Sequence, residues 1–82
     1  EPVSVEIMSH TDSRGNDDFN MSLSQQRANS VVNYLVSKGI SRSRLTARGF
    51  GESRLVNRCS NGVDCSADQH QRNRRTEFRV LQ

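Results

Sequence analysis

Five apolar side chains decide most of what this sequence can become. Ala28, Val31, Val32, Leu35 and Val36 fall at i, i+3, i+4, i+7 and i+8, which on a 3.6-residue helix is one continuous stripe. A helix apolar along a single stripe needs a second layer to cover it, so the rest of the chain must supply that layer. The spacing places the helix start at Ser24, whose hydroxyl suits an N-cap, and its end at Gly39, a left-handed C′ residue after Lys38.

The flanks carry the other period. Val3 to Ser9 alternates apolar and polar in its first five positions, and Thr76 to Leu81 alternates again, with Phe78 and Val80 on one face and Glu77 and Arg79 on the other. Leu45 to Phe50 reads as a further strand, and Gly49 and Gly51 mark a bend or a close backbone approach around Phe50. Between these lie a polar loop from Ser9 to Asn20, rich in turn formers, a short turn at Ser41 to Arg44, and a short helix from Ser66 to about Asn73. The expected fold is α+β, an α/β sandwich in the order β-α-β-(short α)-β, with helices packed on one mixed sheet.

Composition sets the difficulty of that fold. With 82 residues, 32% apolar and 5% aromatic, and a mean hydropathy of -0.80, residues 1–82 make one domain whose core is small. A disulfide, a partner or further chain is expected to supply stability. No apolar run approaches the roughly 20 residues of a membrane span. No basic-then-apolar leader follows Glu1. Basic residues outnumber acidic ones 12 to 9, a modest surplus of arginine concentrated in Arg72, Arg74, Arg75 and Arg79. A small basic nucleic-acid-binding module is therefore an alternative reading, although no aromatic stacking platform accompanies these arginines and no nucleic-acid partner is expected.

Cys59 and Cys65 are separated by five residues containing an Asn61-Gly62 turn. The spacing is too wide for a CxxC redox or zinc pattern and favours a disulfide, worth about 2 kcal/mol by loop-closure entropy and implying an oxidising compartment. The competing arrangement is a zinc site joining both thiolates to His70 and His10, for which no second pair stands at ligand spacing. His10, Asp12 and Ser24 compose a hydrolase triad only on paper, because Ser24 is needed at the helix start and no nucleophile elbow surrounds it. Neither a catalytic residue nor a metal or cofactor is expected.

Taken together, the ordered segments carry more than any one of them. His10-Thr11-Asp12, Gly15, Asn20 to Ala28, Val31 to Leu35, Gly39-Ile40, Arg44-Leu45, Gly49-Phe50-Gly51-Glu52 and Asn73 to Phe78 resemble the HTD, NxxLSxxRAxxV, GI, GYGE and NRRVE segments of the OmpA-like peptidoglycan-binding domain. The resemblance runs from Val5 to Val80. Ser9 stands where that family usually has Gly and Leu55 where Pro is common, while the Cys59 to Cys65 hairpin is an elaboration. The family's first strand and helix have no counterpart here, which leaves an expected uncovered sheet edge and predicts self-association of the chain.

The resemblance implies a Gram-negative cell-envelope module at the periplasmic face of the outer membrane. It would bind peptidoglycan without catalysis, through the diaminopimelate of the peptide stem, and anchor an outer-membrane protein or lipoprotein. The same domain in a motor stator or secretion-system anchor is the alternative within the family, and membrane attachment would come only through a further segment. Diaminopimelate ends in a zwitterion, which needs a carboxylate for its ammonium and a planar donor fork for its carboxylate; Asp12 and Arg27 supply them. Arg27 is expected in the first helical turn, near free amides and the positive dipole end. By match to the family, Thr11, Asn20 and Leu23 join the site, and Arg75 lines the same pocket.

Overall fold

The computed structural model describes residues 3–81. Strand β1 (Ser4–His10) leads into helix α1 (Asp17–Ser37), and a 3-10 turn (Arg42–Arg44) leads into β2 (Leu45–Gly51). A short α2 (Ala67–Gln71) then precedes β3 (Arg75–Leu81). The strands form one mixed sheet in the order β2-β1-β3, with β1 parallel to β2 and antiparallel to β3. A parallel pair requires a crossover, and α1 is that crossover, lying on one face of the sheet. The fold is the expected α+β arrangement of a long and a short helix with a three-stranded sheet.

The apolar stripe from Ala28 to Val36 is where the layers meet. Ala28 and Val32 pack with Ile7 as the buried cluster, flanked by Val5, Val31, Leu35, Val36, Leu45 and Ala47. The helix ends as its sequence demands: Gly39 has φ +102°, its N–H donates to Val36 O at 3.0 Å, and Ile40 N–H donates to Leu35 O at 3.2 Å. Those two bonds are the paired closure of a Schellman motif. Ser66 caps α2 through a reciprocal bond pair with Gln69.

The start of α1 differs from the expectation. The helix begins at Asp17, not near Ser24, and its N-cap is Asn16, whose Oδ1 accepts from Phe19 N–H at 3.1 Å. Asp17 and Asp18 occupy the first turn, where negative charge offsets the free amides. The residues Asn16, Asp17 and Asp18 are turn formers that serve equally as cap and first turn, so the polar loop is shorter than its composition suggested.

Ser24 is fully buried in mid-helix. Its Oγ accepts from Gly51 N–H at 2.8 Å and donates to Met21 O at 2.9 Å. A Cβ on Gly49 would stand 2.3 Å from Gln25 N, so α1 rests on the bare backbone of β2. Gln25 fixes the contact from the other side, accepting from Gly49 N–H and donating to Ala47 O.

Strand β3 meets a different fate from the one its alternation suggests. Phe78 is the cross-strand partner of Ile7 and Val80 that of Val5, so both share the face that α1 covers. They are nevertheless 60% and 58% exposed, because the helix lies over β1 and β2 and does not reach β3.

Candidate functional site

The site is built where β1 hands the chain to α1. The register between β1 and β2 slips after Ser9↔Gly49 to His10↔Gly51, leaving Phe50 as a bulge residue. Gly51, at φ +55°, then accepts Thr11 N–H at 2.9 Å. That bond turns Thr11, Asp12 and Ser13 inward, and all three are buried. Thr11 Oγ1 donates to Asp12 O, and Ser13 Oγ donates to Cys59 O, tying the turn to the distant cysteine loop.

Asn20 holds the turn from above. Its Nδ2 donates to Arg14 O at 3.0 Å and lies 3.4 Å from both Asp12 O and Glu52 Oε1. Asn20 is buried and belongs to the first full turn of α1, so the helix and the loop are locked to each other. From Asn20 the same helix face continues to Leu23 and Arg27, at spacings of three and four residues.

These elements enclose an open groove of about 440 Å³. Thr11, Asp12, Asn20, Leu23 and Arg27, all proposed from sequence, line it. Arg75 does not. Its guanidinium binds Glu77 Oε2 at 2.9 Å, Arg54 O at 2.9 Å and Asn73 O at 3.3 Å, away from the groove. The neighbouring Arg74 lines the groove instead and donates to Asp12 Oδ2. Arg14, Gly15 and Phe19 complete the wall, and none of the three is among the site residues expected from sequence.

The electrostatics are asymmetric. Asp12 Oδ1 accepts Arg14 N–H, and Oδ2 accepts both Arg14 Nη2 at 2.9 Å and Arg74 Nη1. Burial pushes the Asp12 carboxyl up, but the Arg14 side chain, the Arg14 backbone N–H and Arg74 outweigh it and bring it down to about 2. It is a firm anion at neutral pH. Arg27 is exposed and has no carboxylate partner among the described residues. It lies in the third turn of α1, so the helix amides do not reach its ligand position; its guanidinium alone presents the donor fork.

The competing chemistries lose their parts. Cys59 and Cys65 are joined in a disulfide, so neither sulfur is left as a zinc thiolate. Ser24 Oγ is buried against β2 and bonded on both sides, which removes the nucleophile of the paper triad. His10 stacks on Phe50 at 5.2 Å, and its Nε2 lies 3.3 Å from Glu77 Oε1 without hydrogen-bond geometry. Three of the four C-terminal arginines pair with carboxylates, Arg74 with Asp12, Arg75 with Glu77 and Arg79 with Glu6, which weakens the basic patch as a nucleic-acid footprint.

Comparison with known proteins places this geometry. Residues 1–73 match the OmpA family. Outer membrane protein A of Escherichia fergusonii is 44% identical over 85 residues, covering 94% of this chain and 33% of that protein. A photosystem I P700 chlorophyll a apoprotein A2 of Gloeobacter violaceus is 45% identical over 78 residues, 93% of this chain and 9% of that protein. The chain thus spans a third or less of these relatives. Among solved structures, the peptidoglycan-associated lipoprotein of Burkholderia pseudomallei superposes at a TM-score of 0.84 and 24% identity, over 96% of this chain and 63% of that one. The cell wall anchor of the T6SS from Pseudomonas aeruginosa superposes at 0.74 and 31% identity, over 93% and 52%.

Proposed function

We propose that this chain, which belongs to the OmpA family, is a non-catalytic module that binds peptidoglycan and anchors an outer-membrane protein or lipoprotein to the wall from its periplasmic side. The contact is made through the free zwitterionic end of diaminopimelate in the peptide stem. Relatives named for the outer membrane and a 31% identical cell wall anchor support the setting. The observation that carries the mechanism is the pairing, in one groove, of a buried anion at Asp12 with an exposed guanidinium at Arg27 that has no carboxylate partner among the described residues.

The chemistry follows from that pairing. The ligand ammonium takes an oxygen of Asp12, the ligand carboxylate takes the planar fork of Arg27, and Leu23 with Phe19 gives an apolar wall for the methylene chain between the two centres. Asn20 and Thr11 act by holding the turn that presents Asp12. The disulfide between Cys59 and Cys65 fits an oxidising compartment such as the periplasm.

Calorimetric titration with meso-diaminopimelate or a wall muropeptide tests the reading. Saturable binding that Asp12→Ala or Arg27→Ala weakens at least ten-fold is expected. Unchanged affinity in both variants overturns the mechanism. The similarity to a secretion-system anchor favours one variation, in which the same grip serves a different attached protein.

A further inference from the structure

The groove holds more positive charge than a zwitterion uses. Three guanidinium groups, those of Arg14, Arg27 and Arg74, face one carboxylate, Asp12. Two of the three already share that carboxylate. Both sit on Oδ2, so a ligand ammonium that takes this oxygen must displace one of them.

Arg14 is the one built to leave. Its side chain is 56% exposed and has no second acceptor among the described residues, whereas Arg74 is 29% exposed and also held by Gln71 Oε1. The Arg14 backbone N–H stays on Asp12 Oδ1 at 2.9 Å, so the carboxylate keeps its orientation while the side chain swings. The displaced guanidinium then stands at the rim beside the bound ammonium with no anion to meet it. A second carboxylate on the ligand, beyond the one held by Arg27, restores that pairing.

We infer, resting on the diaminopimelate reading above, that Arg14 is a specificity-determining residue that captures a second ligand carboxylate. The preferred ligand is then a diaminopimelate acylated at one amine with the carboxylate of that same centre left free, carrying one ammonium and two carboxylates. In the wall this is a stem that ends at diaminopimelate. A stem in which that carboxyl is tied up as an amide gives Arg14 nothing to hold and binds more weakly.

Two small probes separate these cases: N-acetyl-diaminopimelate, and the same molecule with the carboxyl of its acylated centre converted to a primary amide. Both keep the zwitterionic end. In calorimetric titrations the wild-type chain binds the free dicarboxylate about five-fold more tightly, the scale of one partly exposed ion pair. Arg14→Gln brings the two affinities within about two-fold of each other, and Arg14→Lys restores much of the preference. Equal affinities in the wild type overturn the inference, as does a five-fold preference that survives in Arg14→Gln. Equal tightening of both probes in Arg14→Gln also overturns it, since Arg14 would then only compete with the ammonium. If neither probe binds the wild type, the diaminopimelate reading itself fails and takes the inference with it, an outcome distinct from the other three.

Discussion

Asp12 is the residue at which loop, proposed ligand contact and pH meet. Its carboxyl sits at about 2 in the folded chain against an ordinary 3.8, with burial opposing the shift and the hydrogen bonds of Arg14 and Arg74 producing it. Since the folded value is the lower one, the stabilisation is complete above the ordinary value and is lost as pH falls through about 2. Denaturant unfolding across the acid range should lose about 1–2 kcal/mol from this group, discounted for the exposure of its partners, and Asp12→Asn should remove that loss. An identical acid limb in the variant contradicts the assignment. His10 acts higher on the scale: burial, and then Arg75, lower its pKa against the pull of Glu77. Its contribution is full above the ordinary 6.5 and is lost as pH falls through the lowered value. Part of this was legible in the sequence. Asp12 and Arg27 are the two residues a zwitterion demands, and the ordered motifs isolate them. The expectation for Arg75 belongs one position earlier, because β3 begins at Arg75, so Arg74 lies in the preceding turn and reaches across to Asp12 while Arg75 starts the strand and pairs with Glu77. Arg14 left no trace in any periodicity, since only the fold of the turn brings its side chain back over a residue two positions earlier.

At the scale of elements, the packed half of α1 was readable and its first two turns were not. Ala28 to Val36 show a stripe because they meet the sheet, whereas Asp17 to Leu23 face the loop, the groove and solvent, where no apolar period is required. The contact of α1 with β2 depends on the absence of a side chain at Gly49. Gly49→Ala should destabilise the chain by about 1–3 kcal/mol, because its Cβ meets helix backbone that cannot rotate away; a loss under about 0.5 kcal/mol in chemical denaturation would show that the layers have room to separate. Strand β3 carries a different consequence. Its outer edge is unpaired among the described residues, and Phe78 and Val80 stand exposed beside it. An antiparallel pairing of β3 with a second copy, centred on Phe78, sets Glu77 opposite Arg79 twice across the twofold axis. The 82-residue chain should therefore sediment as a concentration-dependent dimer that Phe78→Lys dissociates. A monomer at millimolar concentration contradicts this.

Over the whole molecule, the low apolar content of the chain is offset by cross-links between regions far apart in sequence. The disulfide closes a loop whose Cys59 carbonyl accepts from Ser13, so the cysteine loop braces the Asp12 turn from the far side. Reduction should lower stability by about 2 kcal/mol and weaken diaminopimelate binding as well, the second effect being the one a remote brace would not produce. Binding unaffected by reduction, in chain that remains folded, would uncouple the loop from the site. The sequence showed that these cysteines pair but not what the pairing supports, because that depends on a contact across 46 positions. The central claim is that one groove between the β1–α1 turn and the outer face of α1 receives the zwitterion. Backbone amide chemical shifts followed during titration with meso-diaminopimelate test it most directly. The account predicts that the perturbed amides gather at residues 11–15, 20–27 and 74, with the Glu6, Arg48 and Arg79 cluster on the opposite sheet face left unmoved. Perturbations centred on that opposite face, or none at saturating ligand, would contradict it.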